Sequence, residues 1–394
     1  MRDDPVVIVG AARTPIGAFL GELKALAAPQ LGACAIRAAL ERAAVAPEEV
    51  DEAIMGNVLP AGLGQAPARQ AALGAGLPPA TACLTVNKVC GSGMKAAMLA
   101  HDALALGTAR VVVAGGMESM SNAPYLLPRA RAGLRLGHAE VKDHLFLDGL
   151  EDAYDPGRLM GAFAEDCAER YRFSREAQDR YAIASLTRAQ QAIRDGRFCG
   201  EIVPVPLPGK PGAQAATDEQ PLKASVDKIP TLKPAFRKDG TVTAANSSSI
   251  SDGAAAMVLM RRSEAERRGI APRARIVAYS THSQEPRWFT TAPVGAIRKL
   301  FEKTGWNAQT TDLFEINEAF AVVAMAAMQE LALPHEKVNV HGGACALGHP
   351  LGASGARILV TLLAALEKHA LKRGIAALCI GGGEATAMAV ERFA

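Results

Sequence analysis

Cys90 stands in the stretch VNKVCGSG, Val86 to Gly93, between an extended apolar run and a Gly-Ser-Gly that opens into MKAAMLAHDALALG. A sulfur at the corner where a strand gives way to a helix lies near unpaired backbone N–H groups and the positive end of the helix dipole. Both favour the nucleophilic thiolate and predict a pKa below the roughly 8.5 of a free cysteine. Gly91 and Gly93 are expected to let a substrate approach the backbone and to leave N–H groups free for an oxyanion, as in a nucleophile elbow. An isolated cysteine at a helix start is more often a small buried hydrophobe, so the chemical reading needs other groups to converge on it.

Three other residues meet that requirement at a distance in sequence. His349 precedes a proline in GGACALGHPLGASG, a second glycine-rich corner at the start of a second helix, and histidine is the usual general base near neutral pH. Cys379, in LCIGGGEA, ends the last apolar strand where glycines again expose backbone. Asn317, in EINEAF, ends another short strand and could orient a water or a carbonyl.

The elements that carry these residues repeat. The segment from Gly32 to Leu59 and the segment from Gly295 to Phe320 both read as amphipathic helix, polar turn, Asp, short apolar strand, Asn. A second pair follows in the same order: VNKVCGSG leading to VVVAGGMES, and VNVHGGACALGHPLGASG leading to LCIGGGEATA. Each predicts a Val-Asn strand, a glycine-rich corner, a helix and an apolar strand closing on glycines. Two α/β halves related by a pseudo-twofold are expected, with the corners meeting at a shared seam so that His349 faces Cys90. The N-terminal half spans 1–120 and is completed by 246–270; the C-terminal half spans 271–394. Between them, 121–245 changes character to charged helices, a proline-rich connector and four of the five tyrosines, and reads as an inserted, substrate-binding segment.

Bulk properties narrow the setting. Lys plus Arg number 43 against 40 Asp plus Glu, which gives no polyanion-binding signature, so no nucleic-acid partner is expected. Seven cysteines without a C-x-x-C pairing indicate reduced thiols rather than a disulfide framework or a zinc ribbon. With a strand pattern starting almost at Met1 and no long apolar run, no leader or membrane span is expected, and the cytoplasm is the expected location.

Taken in order and at these separations, NKVCGSG, NEAF, GHPLGASG and CIGGG resemble the thiolase family, and the likeness runs over essentially the whole chain, including GTVTAANSSSISDGAAA and MGAFAEDCAERY. The resemblance implies an α/β fold of five layers, αβαβα, with an inserted loop domain, usually assembled as a homotetramer (otherwise a dimer). It implies an acyltransferase handling coenzyme A thioesters without metal or redox cofactor, coenzyme A being a substrate or product. Carried over by position, it makes Cys90 the acylated nucleophile, His349 the base that activates it, and Cys379 the acid/base at the substrate α-carbon. Asn317 would hold a water in an oxyanion hole with His349, and the N–H groups of Cys90 and Gly381 would form a second one. Leu150, Met160, Phe236, Ala244 and Ser248 match positions along coenzyme A, Lys223 one near a phosphate, and Phe289 one lining the acyl pocket. Two departures bear on chain length: Leu159 stands where many short-chain members carry His, and the glycine run ends in Glu384 and Ala385.

The leading reading is reversible Claisen condensation of two acetyl-CoA to acetoacetyl-CoA plus CoA through an acyl-cysteine. A longer-chain degradative 3-ketoacyl-CoA thiolase is the alternative. A β-ketoacyl synthase would lack a second catalytic cysteine, and a non-catalytic acyl-CoA binder would lack one of the four site residues.

Overall fold

A computed structural model of the chain describes residues 4–209 and 211–393. Met1 to Asp3, Lys210 and Ala394, at the edges of the expected halves and inside the inserted segment, lie outside the described residues.

The N-terminal half begins with β1 (Val6–Arg13), α1 (Ala28–Ala43), β2 (Glu52–Gly56), α2 (Pro67–Gly74), β3 (Ala82–Val86), α3 (Ser92–Leu106) and β4 (Val111–Ser119), and is closed by β5 (Ser251–Arg261). The C-terminal half repeats the plan with β6 (Ala274–Ser283), α6 (Ala292–Thr304), β7 (Leu313–Ile316), α7 (Ala321–Leu331), α8 (Leu351–Lys368), β8 (Arg373–Ile380) and β9 (Glu384–Arg392). Strands pair in the order β7-β8-β9-β6-β1-β5-β4-β2-β3, with the short Gly17–Ala18 strand beside β5. β2 is parallel to both β3 and β4, as β7 is to β8, while β5 and β9 run antiparallel to their neighbours. Among the described residues the half-sheets pair through Val7 with Arg275 and Ile8 with Ala274. The repeat is therefore real, except that the expected Val-Asn strand of the second copy shrinks to a single bridge between Val338 and Phe314. Asn339 explains the loss: its backbone takes a left-handed turn and its side chain caps Ile316 N–H and C=O, ending the strand at once.

Layering follows from side-chain patterning. β4 sends Val112 and Ala114 to one core and Val111 and Val113 to another, as the period of two requires. The second core is shared with α1 and α2. β8 likewise sends Leu378 and Ile380 inward and Ala377 and Cys379 outward to the core of α6 and α7. Between the half-sheets lie α3 and α8, and α8 is buried on every side up to Leu366, which is why LGASGARILVTLLAAL shows no polar face. The five layers are thus α1/α2, half-sheet, α3/α8, half-sheet, α6/α7.

The segment between β4 and β5 leaves and re-enters through neighbouring strands, yet its helices α4 (Met160–Tyr171) and α5 (Arg175–Arg194) bury Phe163, Cys167 and Tyr181 in the outer core of the C-terminal half. It straps the halves together across the seam where the corners meet. No helix among the described residues is long and apolar enough to cross a membrane.

Candidate active site

The corners converge on one cavity of about 390 Å³, whose wall includes Cys90, His349 and Gly381. Leu150, Leu159, Met160, Phe236, Ala244, Ser248 and Phe289 line the same space, which is largely apolar. Cys379 and Asn317 lie fully buried behind the wall.

Cys90 precedes α3 by two residues. Val89, just before it, is held at φ 45°, a conformation that costs a β-branched residue on the order of 1–3 kcal/mol. Ser92 holds the turn closed: its Oγ accepts from Lys88 N–H at 2.8 Å and donates to Val89 C=O at 2.6 Å. The elbow expected from the sequence is present, but its glycines serve another purpose. A side chain on Gly91 would strike Ile380, and one on Gly93 would lie 2.8 Å from the Ala356 nitrogen of α8. Both are bare where the elbow packs against β8 and α8.

Charge is the second correction. The N–H groups of Gly381 and of Cys90 itself favour a thiolate at the Cys90 sulfur, yet burial outweighs them and pushes the thiol up to about 11. The apolar cavity withdraws more hydration than a helix terminus replaces. Cys90 therefore rests as a neutral thiol. His349 is also neutral, its pKa pulled down to about 3 by burial and by the Arg357 guanidinium.

The histidine is oriented by its own helix. Ser354 Oγ donates to Pro350 C=O at 2.9 Å, so its lone pairs are left to accept from His349 Nδ1, 2.5 Å away. Asn317 Nδ2 stands at 3.4 Å from the same nitrogen, too far to compete. With the proton on Nδ1, the buried and otherwise unpartnered Nε2 is a free base. Arg357 of α8 fixes the other side, donating to Glu315 Oε1 at 2.9 Å and reaching Asn317 Oδ1 at 3.4 Å.

Cys379 has its pKa driven well up, first by burial and then by the nearby charge of Cys90. Two thiols so placed cannot both ionise readily. Ala385 sits opposite Cys379 in the β8–β9 ladder, and Glu384 binds Lys88 Nζ at 2.6 Å and Ser283 Oγ at 2.9 Å. Neither lines the cavity, so of the departures noted in the sequence only Leu159 can touch a ligand there. Lys223 is also outside: it pairs with Glu219 and borders a neighbouring pocket that shares only Gln220 and Ala244 with the first.

Residues missed from sequence include Ser354 and Arg357, although both sit on the helix opened by the histidine corner, at helical spacing from it. Alkylation gives a direct check on the resting charge. The rate of Cys90 modification by iodoacetamide, followed by peptide mass, should keep rising from pH 7 to 9.5 without a plateau, because a raised thiol pKa means the thiolate fraction is still growing there. A plateau below pH 8 would show a resting thiolate.

The comparisons with known proteins agree with this geometry. Residues 6–263 match the family model described as thiolase, N-terminal domain, and residues 270–392 the one described as thiolase, C-terminal domain. An acetyl-CoA acetyltransferase of Cupriavidus necator is 51% identical, with 98% of this chain and 99% of the relative covered. One of Thiocystis violacea is 50% identical, with 99% and 100% covered. A crystal structure of a thiolase from Ascaris suum in complex with coenzyme A superposes with a TM-score of 0.93 at 43% identity, covering 99% of this chain and all of that one. The acetyl-CoA acetyltransferase of Bacillus anthracis gives 0.96 at 43%, covering 99% of each chain. With both domain models matched in order and relatives alike from end to end, the chain belongs to the thiolase family.

Proposed function

We propose that this protein is an acetyl-CoA acetyltransferase, interconverting two acetyl-CoA with acetoacetyl-CoA and CoA. The observation that carries the reading is the pair of thiols, Cys90 in the wall of one apolar cavity and Cys379 buried within electrostatic reach of it, with a neutral imidazole on the same wall. A largely apolar wall without a carboxylate, served by two separate proton carriers, suits chemistry in which a thioester carbonyl is attacked twice.

In the forward direction Cys90 Sγ attacks the acetyl carbonyl while its proton passes to His349 Nε2. The tetrahedral oxyanion collapses, the C–S bond to coenzyme A breaks, and the imidazolium returns the proton to the leaving thiolate. A second acetyl-CoA then enters. Once Cys90 is a thioester it cannot ionise, which removes one of the causes opposing a charge on Cys379 and leaves burial and Cys167. The Cys379 thiolate takes a proton from the α-carbon, the carbanion attacks the acyl-Cys90 carbonyl, and the C–C bond forms as the Cys90 thiolate leaves; the Cys379 thiol then returns its proton to Cys90, restoring the Cys90 thiol and the Cys379 base. The N–H groups of Gly381 and Cys90 meet the negative charge at that second carbonyl. Asn317 and His349 serve the first in the same reading, and the track from Leu150 to Ser248 takes the pantetheine arm.

Assembly as a homotetramer or dimer is part of the proposal. It is supported by the open edge of β3, with Leu84 exposed, and by the exposed apolar side chains Leu127, Leu134 and Leu136 of the segment that follows β4, Leu136 being 99% exposed. Seven free cysteines support a reducing location, the cytoplasm.

Thiolysis measured as loss of the 3-ketoacyl-CoA enolate tests the reading. Acetoacetyl-CoA should be cleaved with a kcat/KM at least tenfold above that of a C8 3-ketoacyl-CoA, since Leu159, Phe289 and Met160 narrow the wall. The reverse order would make this a longer-chain degradative thiolase, and binding without cleavage of either would make it an acyl-CoA binder.

A further inference from the structure

Glu118, at the end of β4, is fully buried and takes no part in the steps above. Its Oε1 accepts from Asn57 Nδ2 at 2.6 Å and Leu59 N–H at 3.1 Å; its Oε2 accepts from Val58 N–H at 2.9 Å and Gly352 N–H at 2.8 Å. The Asn57–Leu59 loop is in turn bound to the run into the nucleophile, through Asn57 N–H to Val86 C=O at 3.0 Å and Asn87 Nδ2 to Val58 C=O at 3.4 Å. Gly352 is in the first turn of α8, three residues after His349. A side chain on Gly352 would meet Glu118 Oε2 at 2.8 Å, and one on Gly116 would overlap Gly352 C=O. One carboxylate thus holds the loop beneath the Cys90 corner and the helix that carries the His349 corner, across the seam between the halves.

We propose that Glu118 is a positioning residue for the thiolase reaction: it sets the spacing of the Cys90 and His349 corners, and its negative charge adds to burial in disfavouring a thiolate at Cys90. The inference rests on the thiolase reading of the site. Four donors aimed at two oxygens are matched by a carboxylate and not by an amide, whose NH2 would face an N–H. The charge reaches Cys90, whose thiol it helps to raise. Burial holds Glu118 itself up to about 7; Asp252 of β5 adds to this, and the Asn57 loop and first turn of α8 contribute uncharged donors.

Two variants separate position from charge. Glu118→Gln removes the charge and mismatches the donors; Glu118→Asp keeps the charge but is one methylene too short to span Asn57 and Gly352. In both, kcat for acetoacetyl-CoA thiolysis should fall roughly ten- to a hundredfold with KM within about threefold, as for a misplacement of reacting groups. Cys90 alkylation at pH 8 should speed up roughly two- to tenfold in Glu118→Gln alone, as loss of a nearby negative charge lowers a thiol pKa. Wild-type kcat in either folded variant would overturn the proposal, as would equal acceleration of alkylation in both, which would mean a loosened corner rather than a lost charge. Should Glu118→Gln lack a cooperative melt, Glu118→Asp decides by its kcat and its unchanged alkylation. A wild-type protein inactive on acetoacetyl-CoA would sink the functional reading, while the alkylation contrast would still judge the charge coupling.

Discussion

Replacing Cys90 by Ala should abolish acylation and turnover together, with kcat reduced on the order of 10⁵-fold or more, the scale seen when a covalent nucleophile is removed. No other thiol can substitute. Cys345 is locked against Glu318, whose Oε2 accepts its N–H at 3.0 Å and whose backbone C=O lies 3.7 Å from the sulfur, and its pKa is driven well up by burial. Cys379 is fully buried and not part of the cavity wall, and burial drives its thiol pKa well up. Mass spectrometry after mixing wild type with acetyl-CoA should place one acetyl group on Cys90 and none on the variant. An adduct confined to Cys345 or Cys379 would overturn the assignment.

The second large effect is expected to split the reaction rather than stop it. Cys379→Ser should still acetylate Cys90, because His349 and the Gly381 N–H are untouched, yet C–C bond formation should fall roughly 10²–10⁴-fold for want of a proton carrier at the α-carbon. A serine hydroxyl is too weak an acid to ionise there. The half-reactions can be followed apart, the first by adduct mass and the second by exchange of acetyl-CoA methyl protons with deuterated solvent. Equal loss of both would mean that Cys379 supports the fold or the Cys90 sulfur. Retention of both would hand the carbon acid to another residue.

Much of this site could be read from the chain because its residues sit on glycine-marked corners of a repeated unit, and repetition tells which corners must meet. Cys90, His349, Cys379 and Asn317 were legible on that ground, as were the cavity-lining positions once the family was recognised. What failed to show were quantities set by depth. The helix start at Cys90 is visible in sequence, but the apolar wall that desolvates it is assembled from Leu150, Phe236 and Phe289, distant in the chain, so the direction of the thiol shift was read wrongly. Glu118 carried no signal in the sequence, since nothing nearby announces that Gly352, more than 200 residues away, will dock on it. Lys223 carried a local signal of its own: Glu219 stands four residues before it in EQPLK, a helical ion-pair spacing, and the two pair in the structure.

The alternation of β8 carries a consequence for how such a chain can change over generations. Cys379 faces one core while its neighbours Leu378 and Ile380 face the other, and the Gly381–Gly383 turn follows at once into β9. Inserting or deleting one codon between Arg373 and Ile380 would not nudge the sulfur along the strand; it would exchange it for a leucine or isoleucine side chain on the same face. Insertions and deletions compatible with activity in this hairpin should therefore come in pairs, and descendants of this gene should keep the parity of the strand even where its length and composition drift.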